Sequence, residues 1–549
     1  MLSRFFKVVW DSFLRRPSGS AATDILLERA RQLRAEGNLG AARRTLEEGI
    51  RHFPDEAQLL NNLGMLQLAD GDFPAAERNF RRALEVYPSL AQAHSNLGIA
   101  LCEQHRAAEG LQAFRRAIAV DSQLLAAREN VAALLTREND YPGALDAWDS
   151  VLRLEPRHAD AHAAKGLLLV GAGLFAEARE QLARARRLKL DTQPLTLLEV
   201  SIEAAIGDVA AARFVLERLR GREPDAEIEW QLALLHLSQG NFAEGWPLYE
   251  ARLRRELESP RRAYAFPDWD GSPLDGHALL IMAEQGLGDE IMFASCLADA
   301  AARVSRCVIE CDPRLAPLFA RSFTQAEVVG HVRGTGHDWL KRHPDIAYQI
   351  HAGSLPRLFR ASRDDFPRHD GYLRADGARV SAWRARLAAL GRGLKIGIAW
   401  SGGLRHTRRA LRSIPLSDFS QLLGRRDVQF VSLQHDDDGR QAQQLAELAG
   451  TPVHLFAGSL ADMDESAALI TALDLVITAC SAVVHLTGAL GARAWVLTPR
   501  VAEWRYLNRG EAMPWYPSVR LFRQARLGDW RPVIREVNEK LEALAACRT

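Results

Sequence analysis

Ser481 and His485 stand four residues apart in the stretch LDLVITACSAVVHLTGALG, which runs from Leu473 to Gly491. The apolar run Leu475 to Thr478 predicts a short buried strand, Ala479-Cys480 a tight turn, and Ser481 the start of a helix. A helix that follows a strand in this way aims unpaired backbone N–H groups and its positive dipole end at one point, where a phosphate is stabilised. Ser481 is placed to cap that helix, Ala482 follows it, and His485 lies one turn later on the same face. These residues can therefore converge on one anion. An N-cap serine and a histidine satisfied within the fold are the structural alternative, and the stretch alone leaves both readings open.

Two further loops carry groups suited to the same chemistry. The apolar run Ala278 to Met282 leads directly into Ala283-Glu284-Gln285-Gly286-Leu287-Gly288-Asp289-Glu290. Its glycines permit a tight turn that sets Asp289 at the start of a helix, where a carboxylate can accept a proton from an attacking hydroxyl; Glu284 is a second candidate. Acidic residues also simply favour helix N-termini. The run Lys395 to Trp400 ends in Ser401-Gly402-Gly403, followed by Arg405, Arg408, Arg409, Arg412 and Ser413 with no acid among them. Glycines that let a backbone approach a ligand, next to guanidinium groups, suit the phosphate of a nucleotide-linked donor; a solvated basic loop is the plain alternative. Val428 to Leu433 ends in Gln434, whose amide can read a base or sugar, and Asp436-Asp437-Asp438 reads as a polar turn rather than a metal site.

These loops need a scaffold. Short apolar runs alternate with helical stretches after Pro260: Ala278 to Met282, Cys307 to Cys311, Ile346 to Ile350, Lys395 to Trp400, Val428 to Leu433, Val453 to Phe456, Leu475 to Thr478 and Ala494 to Thr498. Alternation of this kind predicts parallel sheets with crossover helices. A glycine-rich break at Gly391-Arg392-Gly393 divides them into two Rossmann-like lobes, 259–390 on the acceptor side and 391–549 on the donor side. Ligands in such sheets bind beyond the carboxyl ends of the strands, and every candidate loop follows a strand.

The first half of the chain is organised differently. From Thr23 onward small residues recur with a period of 34: Gly64, Gly98, Ala132 and Gly166 in one series, Ala42, Ala76, Gly110, Ala144 and Ala178 in another. Pro54, Pro88, Ser122, Pro156 and Leu190 form a third series at the ends of the units, and Gly71-Asp72 is echoed at Gly207-Asp208. Paired helices with small residues at two fixed positions are the signature of tetratricopeptide repeats, here over residues 21–258. Such repeats stack into a superhelix whose groove takes protein or peptide. Asn62, Asn96 and Asn130 share one repeat position, and a ladder of amides can bond an extended peptide of any sequence; asparagine is also simply common there.

Composition narrows the partners. Across 549 residues, 70 Lys+Arg balance 69 Asp+Glu to a formal charge of +1, which gives no bulk affinity for nucleic acid. Six scattered cysteines form no CxxC pair, so neither a zinc site nor a disulfide framework is indicated and a reducing cytoplasm fits best. No apolar run approaches the ~20 residues of a membrane span. Residues 1–20 are basic and carry Phe5, Phe6, Trp10 and Phe13; an amphipathic helix over 1–16 would meet a membrane surface or dock on the first repeat.

The ordered set EQGLGDE, WSGG with RALRSIPL, FVSLQ, DLVITACSAVVHLTGALG, EWRY, PWYPSVRLFRQ and GDW resembles the tetratricopeptide-repeat glycosyltransferases of bacteria. The second half is similar to the heptosyltransferases and, more distantly, to the O-linked N-acetylglucosamine transferases. The resemblance implies a repeat superhelix followed by a two-Rossmann-domain (GT-B) enzyme that inverts the anomeric centre without metal or cofactor. It implies Asp289 as base, Ser481 and His485 at the donor phosphate and Arg412-Ser413 beside them. Heptosyltransferases commonly carry Asp before the Ser/Thr of that turn, where this chain has Cys480; a different donor sugar follows, such as a nonulosonic acid on CMP. The expected acceptor is a Ser or Thr of a protein held by the repeats, flagellin being one case. A glycan or lipid-linked acceptor, and an inactive scaffold, are the competing expectations.

Overall fold

The computed structural model describes residues 21–546 apart from 139, 191, 220–224, 256–263, 284–285, 333–334, 403–408, 426, 436–438, 457 and 527. The segment 1–16, Glu284, Gly403, Arg405, Arg408 and the acidic run 436–438 therefore lie outside the described residues. Contacts divide the chain into two units, one holding the described residues up to Glu199 except 171–173, the other holding 171–173 and everything from Val200.

In the first unit the helices come in antiparallel pairs: Ala21–Ala35 with Leu39–His52, Ala57–Ala69 with Phe73–Val86, Ala91–Glu103 with Ala107–Val120, and Leu125–Arg137 with Tyr141–Leu154. Ala159–Gly171 and Phe175–Arg187 continue the series. The periodic small residues do what their size allows. A Cβ on Gly64 would sit 2.7 Å from the Phe80 ring, and one on Gly98 would sit 2.5 Å from Phe114 and 3.0 Å from the carbonyl of Gly110. In these two pairs the second helix thus drops an aromatic ring onto the glycine of its partner. The turn between helices repeats as well: Gly37 and Gly71 take left-handed backbone, after which Asn38 and Asp72 accept from the N–H three residues on. His105 holds the same left-handed place without being glycine, and Arg106 after it supplies no side-chain cap.

In the second unit, β1 (Leu274–Met282), β2 (Val304–Cys311), β3 (Glu327–Gly330) and β4 (Ile346–His351) form a parallel sheet in the order β3-β2-β1-β4. A second sheet is built from β5 (Leu394–Ala399), β6 (Val428–Ser432), β7 (Val453–His454), β8 (Leu475–Ala479), β9 (Ala494–Thr498), β10 (Ala512–Met513) and β11 (Tyr516–Arg523). Its order is β10-β11-β9-β8-β5-β6-β7, and only the β10–β11 pair is antiparallel. Strand order reverses between β5 and β8 in this sheet and between β1 and β4 in the other. These are the crevices where a parallel sheet receives a ligand.

Packing does not follow the linear boundaries at 258 and 390. The helix Phe242–Tyr249, last of the repeat-like series, buries Trp246 and Tyr249 among residues of both lobes. Trp246 meets Trp504 and Trp515 edge-on at 5.6 and 6.2 Å, Tyr249 lies 6.3 Å from Phe293, and Trp246 Nε1 donates to the carbonyl of Arg360 at 2.7 Å. The helix Gly377–Ala388, which precedes the glycine break, lies against Met463–Ala472 of the second lobe; Trp383 Nε1 donates to Glu465 at 2.8 Å and its ring meets Phe456. Amphipathic faces find the nearest complementary surface, which period and glycine position do not reveal.

Candidate functional site

The two loops at the switch point of the second sheet touch. A Cβ on Gly402 would lie 2.1 Å from the Cys480 carbonyl, so the β5 exit loop passes the β8 turn closer than any residue but glycine allows. Gln434, at the end of β6, is spent on holding that loop: its Oε1 accepts from the backbone N–H of Trp400 and Ser401, both at 3.1 Å, and its Nε2 donates to Ser401 Oγ at 2.9 Å. An amide read from the sequence as a ligand contact is therefore a brace, because the N–H groups leaving β5 need an acceptor. Arg409 reaches Ser401 Oγ at 3.4 Å, and the Ser413 hydroxyl turns back to the Arg409 carbonyl at 2.9 Å.

The helix after β8 spans Ala482–Ala489, with Ser481 in extended N-cap conformation. Its hydroxyl makes no cap bond and lies 3.4 Å from Thr478 Oγ1, a departure from the capping expected of it. Ala482, the first helical residue, is exposed. Cys480 is wholly buried, and burial pushes its thiol up to about 12. The position that carries Asp in the heptosyltransferase resemblance thus points into the core here.

Asp289 arrives from the other lobe, in the first turn of the short helix Leu287–Phe293. Its Oδ1 accepts from Arg505 Nε at 2.8 Å and also from Arg505 Nη2. Arg505 in turn lies 3.4 Å from Glu503, and Glu503 takes Arg412 at 2.9 Å. Carboxylate, guanidinium, carboxylate and guanidinium alternate from the lobe of the first sheet to the lobe of the second. Burial works against the Arg505 charge, yet the Asp289 and Glu503 carboxylates outweigh it and hold its pKa above the ordinary value. Arg505 and Glu503 were legible only as part of a motif; the pairing across 216 positions has no signal in spacing.

His485 is buried beside this row, with Gly288 against its ring: a Cβ there would be 3.2 Å from His485 Cδ2. His485 Nδ1 lies 3.1 Å from the Tyr516 hydroxyl, while Tyr372 donates to the Ile291 carbonyl at 2.6 Å. Tyr372 Oη also lies 3.5 Å from Tyr516 Oη, so the two tyrosines and the imidazole form one buried polar chain. Burial first, then Arg505 and Arg412, press the imidazole down to about 3, so it acts as a neutral N–H donor rather than a cation.

A stability signature follows. An unfolded chain's histidine titrates near ~6.5, so on acidification the unfolded state binds a proton that the folded state refuses. The contribution is complete above about pH 6.5 and is lost as pH falls toward 3, by up to ~1.4 kcal/mol per pH unit. Denaturant unfolding between neutral and mildly acidic pH is expected to fall less steeply in His485→Gln than in the wild type. Parallel curves would remove His485 as the responsible group.

Asn62, Asn96 and Asn130 lie on three successive first helices. Asn96 and Asn130 are wholly buried, donating to Asn61 Oδ1 at 3.3 Å and Ser95 Oγ at 3.4 Å on the preceding first helix. Asn62 donates to its own helix at the Gln58 carbonyl, 2.8 Å away. Asn96 and Asn130 thus join neighbouring repeats. Among the described residues no group of three or more His, Cys, Asp or Glu is placed to hold a metal, and no helix is long and apolar enough to cross a membrane.

The chain therefore combines helical repeats with an α/β region of parallel sheets. Tetratricopeptide repeats are matched over residues 27–77, 61–123 and 132–189. The chain is similar to Protein FlbA of Caulobacter vibrioides, 34% identical over 360 residues, which make up 63% of this chain and 59% of that protein. It thus spans less than two thirds of that relative's length. Among solved structures, a tetratricopeptide repeat protein from Parabacteroides merdae covers 44% of this chain and 95% of its own at 17% identity and a TM-score of 0.38. YrrB, described as a TPR protein with an unusual peptide-binding site, covers 32% and 90% at 20% identity and a TM-score of 0.28.

Proposed function

We propose that the chain is an inverting, metal-independent glycosyltransferase of GT-B type that moves a sugar from a nucleotide donor to a Ser or Thr hydroxyl of a protein. The observation that carries the reading is the row Asp289, Arg505, Glu503, Arg412, which links a carboxylate at one switch point to a guanidinium at the other. Arg505 grips Oδ1 of Asp289, leaving Oδ2 for an acceptor hydroxyl. In the reaction the acceptor oxygen attacks the anomeric carbon, its proton passes to Asp289, and the bond from that carbon to the donor phosphate breaks with its electron pair leaving on the nucleotide. Arg412, the backbone N–H of Ala482 and the neutral His485 imidazole stabilise the charge on the departing phosphate. The repeats supply the surface that holds the protein acceptor.

Thermal unfolding with UDP-, GDP-, ADP- and CMP-linked sugars tests the donor half of this reading. A donor at a hundred times its dissociation constant adds ~2.7 kcal/mol of stability, and Arg412→Ala is expected to erase most of that gain. If saturating levels of all four leave the midpoint unmoved, the α/β region is better read as a scaffold. The inward Cys480 side chain favours a donor other than heptose, since an aspartate placed there would bury its charge.

A further inference from the structure

A cleft of about 400 Å³ opens in the repeat unit between the second helices Tyr141–Leu154 and Phe175–Arg187, with His162 of the intervening helix at its wall. That volume falls within the ~300–1,000 Å³ of ordinary ligand sites. Leu152, Pro156 and Leu188 form its apolar lining, and Arg153, Arg184 and Arg187 stand exposed around it. The one acid in the lining, Asp149, is neutralised by Lys165 at 2.5 Å, and Arg184 is matched by Glu180 at 2.6 Å. Arg153 and Arg187 have no carboxylate partner among the described residues, so the cleft presents net positive charge over an apolar floor. His162 is already bonded within the fold: one ring nitrogen lies 3.1 Å from the Pro156 carbonyl and the other 3.2 Å from Gln181 Oε1.

Cations in the last turn of a helix complement its dipole, which accounts for Arg153 and Arg187 singly. It does not account for two such turns opening on one shared cavity. The site is also separate from Asn62, Asn96 and Asn130, which sit on earlier first helices. We infer that this cleft docks an acidic segment of a partner protein, with an apolar side chain seated on Leu152 and Leu188 and flanking carboxylates bonded by Arg153 and Arg187. Guanidinium groups bind carboxylates in a forked geometry, and the floor rewards an apolar anchor. Nucleic acid fits less well, because no Phe, Tyr or Trp ring lines the cleft for a base to stack on.

The test uses the full-length chain and a short fluorescein-labelled peptide with a central leucine flanked by glutamates, followed by fluorescence anisotropy. Binding that weakens with salt is expected, and Arg153→Glu with Arg187→Glu should reduce it by about tenfold or more, the loss of at least one charge-assisted contact. Arg115→Glu, a charge reversal on an exposed site of another repeat, should leave it unchanged. A peptide with lysines for glutamates should not bind, and one with serine for leucine should bind less. Absence of binding by the acidic peptide, or an equal loss in the Arg115→Glu variant, overturns the proposal. Far-UV circular dichroism identical to wild type shows that the double variant is folded.

Discussion

Asp289→Asn is expected to lower sugar transfer by ~10²–10⁴-fold, the usual contribution of a positioned general base, while donor-induced stabilisation survives. Asparagine keeps the shape of the side chain and an oxygen for Arg505, but it cannot take the acceptor proton. Arg505 then retains Glu503 at 3.4 Å as its remaining carboxylate, so the guanidinium stays compensated in its buried place. The separation of effects is the point of the experiment. Binding of nucleotide is read from the thermal midpoint, and turnover from nucleotide release in the presence of acceptor protein. Turnover equal to wild type would make the Asp289–Arg505 contact a clasp between lobes and nothing more. Loss of both readouts together would show that the substitution disturbs the donor-side loops through Gly288 and His485, which are in contact.

Gly491→Ala should produce the largest loss of stability. Gly491 has φ +71, and a Cβ there would lie 1.9 Å from the carbonyl oxygen of Asp370. Gly371 opposite, φ +105, faces Leu490 equally closely, a Cβ on it being 2.6 Å from the Leu490 carbonyl carbon. Between them the backbone N–H groups of Tyr372 and Leu373 donate to the Ala489 carbonyl at 2.8 and 2.9 Å. This crossing sets the Tyr372 hydroxyl on Ile291, behind Asp289. A left-handed residue other than glycine costs ~1–2 kcal/mol by itself. Moving two backbones apart adds to this, so ~3 kcal/mol or more is expected from denaturant unfolding. Gly510→Ala provides the control: φ is +84, but nothing lies within 4 Å of the new Cβ, so only the conformational cost applies. Equal losses in the two variants would mean that the Asp370 contact is relieved without cost.

Repeat architecture was the most legible part of the sequence. The position of Gly98 under Phe114, and of Asp72 at the start of its helix, repeats because each pair meets the same neighbours, so periodicity encodes packing directly. Strands buried on both faces were legible as apolar runs. The edge strand β3, only Glu327–Gly330, and the half-exposed β11, which starts Tyr516-Pro517, were not, since a short or proline-bearing run lacks that signal. Gln434 was misread for a related reason: its type and place at a strand end were visible, but the backbone N–H groups competing for its amide were not.

By itself, then, the sequence determined which residues follow strands, which helices pair, and where glycine must stand, because these depend on neighbours a few positions away. Tertiary structure alone decided that Asp289 meets Arg505, that Glu503 joins Arg505 to Arg412, and that Trp246 of a repeat-like helix binds both lobes. Those contacts join segments far apart in the chain, and what fixes them is burial and charge pairing in three dimensions, for which linear spacing carries no information.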